Sequence, residues 1–156
     1  MKKLLRAGFL LYGILMLWLL FDRSGTTGAP YWQQVADNLN LNPFHTIGNY
    51  ADILLRPEYY LEKWEAAAIY FWQARHAVIN LAGNVVMFVP LGFFVPGVWE
   101  KCRGFFRTLL CAAGMITAVE LAQLFSLRGS CDVDDLILNL VGVAVGYGLF
   151  RLTAKR

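Results

Sequence analysis

Residues 77–98 have the sequence AVINLAGNVVMFVPLGFFVPGV, and this stretch decides the fold class. It carries no charged residue and is long enough for an α-helix to cross the roughly 30 Å hydrocarbon core of a bilayer. Three more apolar stretches of similar length lie outward from it, at about residues 4–21, 106–125 and 133–152. The sequence therefore predicts an all-α integral membrane protein, a four-helix transmembrane bundle forming one domain over residues 1–156.

The composition supports this class. Of 156 residues, 58% are hydrophobic and only 16% are charged, which is too apolar for an ordinary soluble domain. We therefore expect neither a soluble enzyme nor a nucleic-acid partner. The three cysteines fall at different predicted membrane depths, and no zinc spacing or phosphate-binding loop is present. No disulfide, metal or cofactor is predicted.

Basic residues indicate the orientation. Nine of the 14 Lys and Arg residues lie before the first span, between the second and third, or after the fourth: Lys2, Lys3, Arg6, Lys101, Arg103, Arg107, Arg151, Lys155 and Arg156. The positive-inside rule then predicts a multi-pass protein with both termini in the cytoplasm. A cleaved signal peptide is the alternative for the first span, but no Ala-x-Ala site follows it, so we expect a retained anchor.

The loop of residues 22–76 is expected outside the cell. Ile47, Tyr50, Ile53 and Leu54 recur at helical spacing before Pro57, which predicts short helices. The many aromatic residues after Pro57 suit the headgroup region, so these helices are expected at the membrane interface. We interpret the aromatics as a membrane belt rather than as a platform for ligand stacking.

Polar side chains inside or beside the last three spans are the candidates for a ligand pocket. They are Asn80, Asn84, Glu120, Gln123, Arg128, Asp132, Asp135 and Asn139. Steps of three or four residues place those of each span on one helix face. At 1.5 Å per residue, Asn84, Glu120 and Asn139 lie about 8–10 Å below the outer ends of their spans. Polar groups are costly in a bilayer, so this common depth predicts an outward-facing polar pocket.

A buried Glu120 needs a partner, and Arg128 is the cation expected beside it. Asp134 is out of step with Asp132 and Asp135, so we expect it to be solvated or to serve the start of the fourth span.

Small and helix-breaking residues predict packing. Gly142 and Gly146 form a small-xxx-small pair that lets another helix approach closely. Pro90 and Gly92 predict a bend or local unwinding of the second span.

Three functions remain open on these residues. The leading one is a cell-envelope protein whose pocket binds an amphiphilic ligand, with no catalytic residue assigned. The second is an intramembrane enzyme acting on a lipid or envelope glycan, with Glu120 as general acid or base and the aspartates as metal ligands or electrostatic partners. The third is an assembly factor for other membrane proteins, in which the polar groups only join helices.

Several motifs together resemble the VanZ-like family over nearly the whole chain. They are Asn40-Leu41-Asn42-Pro43-Phe44, Asn80-x-x-x-Asn84-x-x-x-Phe88-x-Pro90-x-Gly92, Glu120-x-x-Gln123, and Arg128-x-x-x-Asp132-x-x-Asp135-x-x-x-Asn139-x-x-Gly142-x-x-x-Gly146. The resemblance implies a small protein of the bacterial cytoplasmic membrane and a role in low-level resistance to the glycopeptide antibiotic teicoplanin. Membrane lipids, with a lipid-linked wall precursor or a lipoglycopeptide, are the expected partners.

Overall fold

The computed structural model describes residues 2–21, 27–64 and 66–154 of the chain. Within these ranges it forms seven α-helices, one 3₁₀ turn (Glu100–Cys102) and two very short strands. The helices are α1 (Lys2–Phe21), α2 (Tyr31–Asp37), α3 (His45–Leu55), α4 (Pro57–Lys63), α5 (Ala67–Val98), α6 (Phe105–Phe125) and α7 (Val133–Ala154), and the strands are β1 (Leu39–Asn40) and β2 (Cys131–Asp132).

Four of these helices, α1, α5, α6 and α7, are long and apolar enough to cross a membrane. The predicted all-helical class, with four membrane-length helices, is confirmed for the described residues. The second apolar span was predicted to begin near residue 77, but the helix that contains it, α5, begins earlier, at Ala67. Polar side chains end an apolar stretch, but they leave the backbone hydrogen bonds of a helix intact.

Of the bend or local unwinding predicted around Pro90 and Gly92, the unwinding is wrong. α5 is one continuous helix of 32 residues with Pro90 and Pro96 inside it. Proline removes one backbone donor without ending a helix whose neighbours hold it in place.

The contact between α5 and α7 is the closest packing in the bundle, and glycines make it possible. A Cβ atom built on Gly142 would overlap the carbonyl oxygen of Val85, and one built on Gly146 would overlap that of Val89. Gly92 of α5 faces the carbonyl oxygen of Val143 in the same way. The two backbones therefore touch where any side chain would separate them, which also allows Cα–H···O contacts.

The apolar core lies between α1, α5, α6 and α7. Its buried members are Met16, Phe88, Leu91, Val95, Ala112, Ile116 and Val143. α1 is peripheral, since Met16 is its one buried residue, and the phenolic hydroxyl of Tyr12 donates to the carbonyl oxygen of Met87 at 2.9 Å. Large apolar side chains elsewhere on α1 are exposed, among them Leu11 at 69% and Ile14 at 66%. Such a face suits a lipid environment.

Basic residues gather at one end of the bundle. Lys2 Nζ lies 2.6 Å from Glu100 Oε1, which joins the start of α1 to the turn after α5. Tyr147 donates its hydroxyl to the carbonyl oxygen of Arg103 at 3.1 Å, and Arg151 Nη1 lies 3.3 Å from the same hydroxyl. We call the end that carries Lys2, Arg103 and Arg151 the basic end.

Asp134 anchors the opposite end of the bundle. It is fully buried, and its carboxylate accepts hydrogen bonds from the backbone N–H groups of Phe44, Thr46 and Ile47 at 2.6, 2.8 and 3.0 Å. The expectation that Asp134 is solvated or serves its own helix is wrong. It satisfies the free N–H groups at the start of α3, where Phe44 has φ = 63° and no side chain of α3 caps the helix.

Asp132 completes this anchor. Thr46 Oγ1 donates to Asp132 Oδ2 at 2.7 Å, and Asn40 Nδ2 donates to the same oxygen at 3.1 Å. Beside them β1 and β2 pair in parallel, with Leu39 opposite Cys131 and Asn40 opposite Asp132. We call Asp132, Asp134 and these partners the aspartate anchor. It fixes α3 against the start of α7.

Candidate functional site

A cavity of about 520 Å³ opens between α5, α6 and α7, beneath α3 and at the end opposite the basic end. Six of the eight predicted pocket residues line it: Asn80, Asn84, Glu120, Gln123, Asp135 and Asn139. Each helix contributes a pair separated by three or four positions, which places both members on one face. Tyr50 of α3 and His76 of α5 also line the cavity.

Two of the lining amides are held by hydrogen bonds. Asn84 Nδ2 donates to Asp135 Oδ1 at 2.5 Å, which ties α5 to α7 across the cavity. Gln123 Nε2 donates to the backbone carbonyl oxygen of Leu20 at 2.8 Å, which ties α6 to the end of α1. These two amides therefore position helices as well as line the space.

Three buried oxygens of the cavity residues have no hydrogen-bond partner among the described residues. They are Asn80 Oδ1, Glu120 Oε1 and Asn139 Oδ1. Glu120 is 8% exposed and Asn139 is 3% exposed. Leaving a buried polar group unsatisfied costs about 1–3 kcal/mol. All three belong to residues that line one cavity, so a ligand in that cavity is a candidate source of the missing donors.

Arg128 and Asp132 are predicted pocket residues that do not line this cavity. Arg128 Nη1 donates to the carbonyl oxygen of Phe21 at 2.8 Å, and the ion pairs formed by the described residues do not include one with Glu120. The expectation that Arg128 pairs with Glu120 is therefore wrong. A carbonyl at the end of α1, where four carbonyls lack helical partners, competes for the guanidinium. Asp132 is committed to the aspartate anchor.

Cys131 is the thiol neighbour of Glu120. Its Sγ lies 3.8 Å from Glu120 Oε2. Cys131 precedes α7, and burial, reinforced by the charge of Glu120, raises the pKa of its thiol above the ordinary value. The group therefore remains a thiol at neutral pH and acts as a weak donor to the carboxylate.

The cavity wall is acidic. Glu120 and Asp135 carry carboxyl groups, and among the described residues that line it there is no Lys or Arg and one His, His76. Nor do the described residues contain a group of three or more His, Cys, Asp and Glu side chains placed to hold a metal ion. The amide and hydroxyl side chains of the wall can donate as well as accept hydrogen bonds.

Tyr50 and His76 line the cavity although neither was among the eight predicted pocket residues. Tyr50 was expected at the membrane interface, yet it lines the cavity because the aspartate anchor holds α3 over the opening. His76 lies one turn before Asn80 on α5, and its ring centre is 4.2 Å from that of Trp72. The four-residue step from His76 to Asn80 was the signal for its position.

Four membrane-length helices surround an acidic polar cavity, and their length and composition indicate a helical membrane protein. A family model described as VanZ/LLP1 matches residues 9–154, nearly the whole chain, so the chain belongs to the VanZ/LLP1 family. It is 24% identical over 156 residues to Protein VanZ of Enterococcus faecium, an alignment covering 99% of this chain and 79% of that protein. No solved structure gives a significant match.

Proposed function

We propose that this VanZ-family membrane protein binds an amphiphilic ligand in its polar cavity and thereby contributes to low-level resistance to teicoplanin. The observation that carries the proposal is the set of three unpartnered buried oxygens on one cavity wall. Joining helices would not require a space of about 520 Å³ beside unsatisfied acceptors. A ligand that fills the space and donates hydrogen bonds removes their cost.

The proposal includes an orientation. The basic end of the bundle, with Lys2, Arg103 and Arg151, faces the cytoplasm under the positive-inside rule. Four crossings then leave both termini inside and place α2, α3 and α4 with the cavity opening on the outer side. In this orientation the cavity meets molecules of the outer leaflet. A lipid-linked wall precursor and an acylated glycopeptide are two amphiphiles that reach it there.

Binding then gives resistance in one of two ways. The protein keeps the bound amphiphile out of the reaction that the antibiotic blocks, or it binds the antibiotic itself. Glu120 and Asn139 contact the polar head, while Asn84 and Asp135, bonded to each other, keep the cavity wall in shape. The apolar walls formed by residues such as Phe88 and Ile116 accept the chain.

The test is susceptibility to teicoplanin and vancomycin in a sensitive Gram-positive host. The wild-type chain is expected to raise the inhibitory concentration of teicoplanin, and Glu120→Gln is expected to return it toward that of the empty vector. Glu58→Gln is the matched control, because Glu58 is exposed on α4 and does not line the cavity. All chains are compared at equal membrane abundance. Full protection by Glu120→Gln, or none by the wild type, would refute the proposal.

A further inference from the structure

The polar cavity has a preference for one sign of charge. Glu120 and Asp135 lie on its wall, and the one arginine expected there, Arg128, bonds to the carbonyl oxygen of Phe21 instead. An anionic head group would lie beside two carboxyl groups, and His76 is the one basic side chain of the described lining that could pair with it. Like charges repel strongly where water is scarce, so the wall selects against phosphate and sulfate.

The unpartnered atoms agree with this preference. Asn80 Oδ1, Glu120 Oε1 and Asn139 Oδ1 are all acceptors, and the side chains of Glu120 and Asn139 are more than nine-tenths buried. A primary ammonium group carries three N–H donors and no acceptor. It therefore matches this set of atoms in hydrogen-bonding type and in charge.

An apolar groove lies next to the cavity. It has a volume of about 160 Å³ and runs between α1, α5 and α6, past Gly13, Leu17 and Met115. Four residues line both the groove and the polar cavity: Leu20, Phe88, Ile116 and Val119. Gly13 leaves the groove open, because nothing lies within 4 Å of the place where its Cβ would stand. A polar space beside a narrow apolar one, with four wall residues in common, suits a single-chain amphiphile.

We infer that the site takes an amphiphile with a primary ammonium head, the head lying against Glu120 and the hydrocarbon chain lying in the groove between α1, α5 and α6. The inference rests on the proposed function only in that both require an amphiphile in this cavity. It adds the path of the chain and the charge of the head group, and that charge favours the acylated glycopeptide over a wall precursor whose lipid is joined through phosphate.

The experiment uses the full chain in phosphatidylcholine nanodiscs and measures bound amphiphile by native mass spectrometry. Dodecylammonium, dodecyl sulfate and dodecyl maltoside share one chain and differ in the charge of the head. Dodecylammonium is expected to bind at least about tenfold more tightly than dodecyl sulfate, the ratio that one charge-assisted hydrogen bond provides. Glu120→Gln is expected to remove this ratio, and Glu58→Gln to keep it.

Gly13→Phe tests the chain path. Its side chain enters the groove without a backbone clash, so the variant is expected to fold and to bind both dodecylammonium and dodecyl maltoside about tenfold more weakly. Circular dichroism and thermal unfolding confirm folding of each variant before binding is measured.

The outcomes separate the two proposals. Equal binding of all three heads, or unchanged selectivity in Glu120→Gln, overturns the ammonium inference, and amphiphile binding as such then survives. Tighter binding of dodecyl sulfate overturns the inference in favour of an anionic head. Selective ammonium binding by a chain that gives no resistance supports the inference and refutes the proposed function. Binding unaffected by Gly13→Phe overturns the chain path.

Discussion

Replacing Gly142 by alanine tests whether the contact between α5 and α7 is as close as the structure has it. The new Cβ would overlap the carbonyl oxygen of Val85, an atom fixed in the backbone of α5. The oxygen cannot rotate away as a flexible side chain could, so the two helices must separate. Overpacking of this kind costs about 1–3 kcal/mol.

Gly148→Ala is the matched control. Gly148 is an exposed glycine of the same helix, and nothing lies within 4 Å of its Cβ position. Both substitutions gain the same helix propensity, about 1 kcal/mol in favour of alanine. The propensity cancels in the comparison, so the difference in stability between the two variants isolates the overlap with Val85.

Thermal unfolding in detergent micelles measures this difference. In a chain of this size, 1 kcal/mol corresponds to roughly 2–4 °C in Tm. Gly142→Ala is therefore expected to melt several degrees below Gly148→Ala, and Gly148→Ala at or slightly above the wild type. Equal melting temperatures for the two variants would show that the helices do not approach each other as closely as described.

Three further predictions concern the anchor, the thiol and the orientation. Asp134→Asn is expected to destabilise the chain by about 1–3 kcal/mol and to expose the loop before α3 to protease. The substitution removes one of the two acceptor oxygens that three backbone N–H groups share. Asp37→Asn, at an exposed site, is the control and should have neither effect. Cys131, in a chain lacking Cys102 and Cys111, is expected to react with N-ethylmaleimide slowly at neutral pH and faster as pH rises, because its pKa is raised. Glu120→Gln removes a carboxyl group whose charge raises the pKa of Cys131, so the substitution should speed the maleimide reaction at a given pH. An unchanged rate would contradict this effect of Glu120 on the thiol. In a cysteine-free chain, an impermeant maleimide should label Glu58→Cys in intact cells and Lys101→Cys only after lysis. The reverse labelling pattern would contradict the proposed orientation.

Inside the long helices, helical periodicity correctly predicted which polar side chains share a face. Asn80 and Asn84, Glu120 and Gln123, and Asp135 and Asn139 needed only the spacing of an α-helix to reach one cavity, because side chains three or four apart share a face. The number of membrane-length helices followed from composition in the same way.

Contacts between distant segments could not be read from local spacing. Asp134 bonds to Phe44, which is ninety positions earlier in the chain, and no periodic pattern links the two. Leu127, with a φ of 56°, ends the helical geometry after α6. The side chain of Arg128, the next residue, therefore does not follow the helix face that carries Glu120. The start of α5 was missed because hydropathy reports the edge of an apolar stretch and not the end of a helix.

The aspartate anchor also constrains the order in which the molecule matures. β1 and the start of α3 obtain their partners from residues 131–134, so they stay without them until the ribosome has made the beginning of α7. Until then Thr46 lacks both acceptors that later hold it, and the opening of the cavity has no fixed border. The site that would meet a ligand is thus completed by the last long helix, and a nascent chain halted before α7 carries the loop without its anchor.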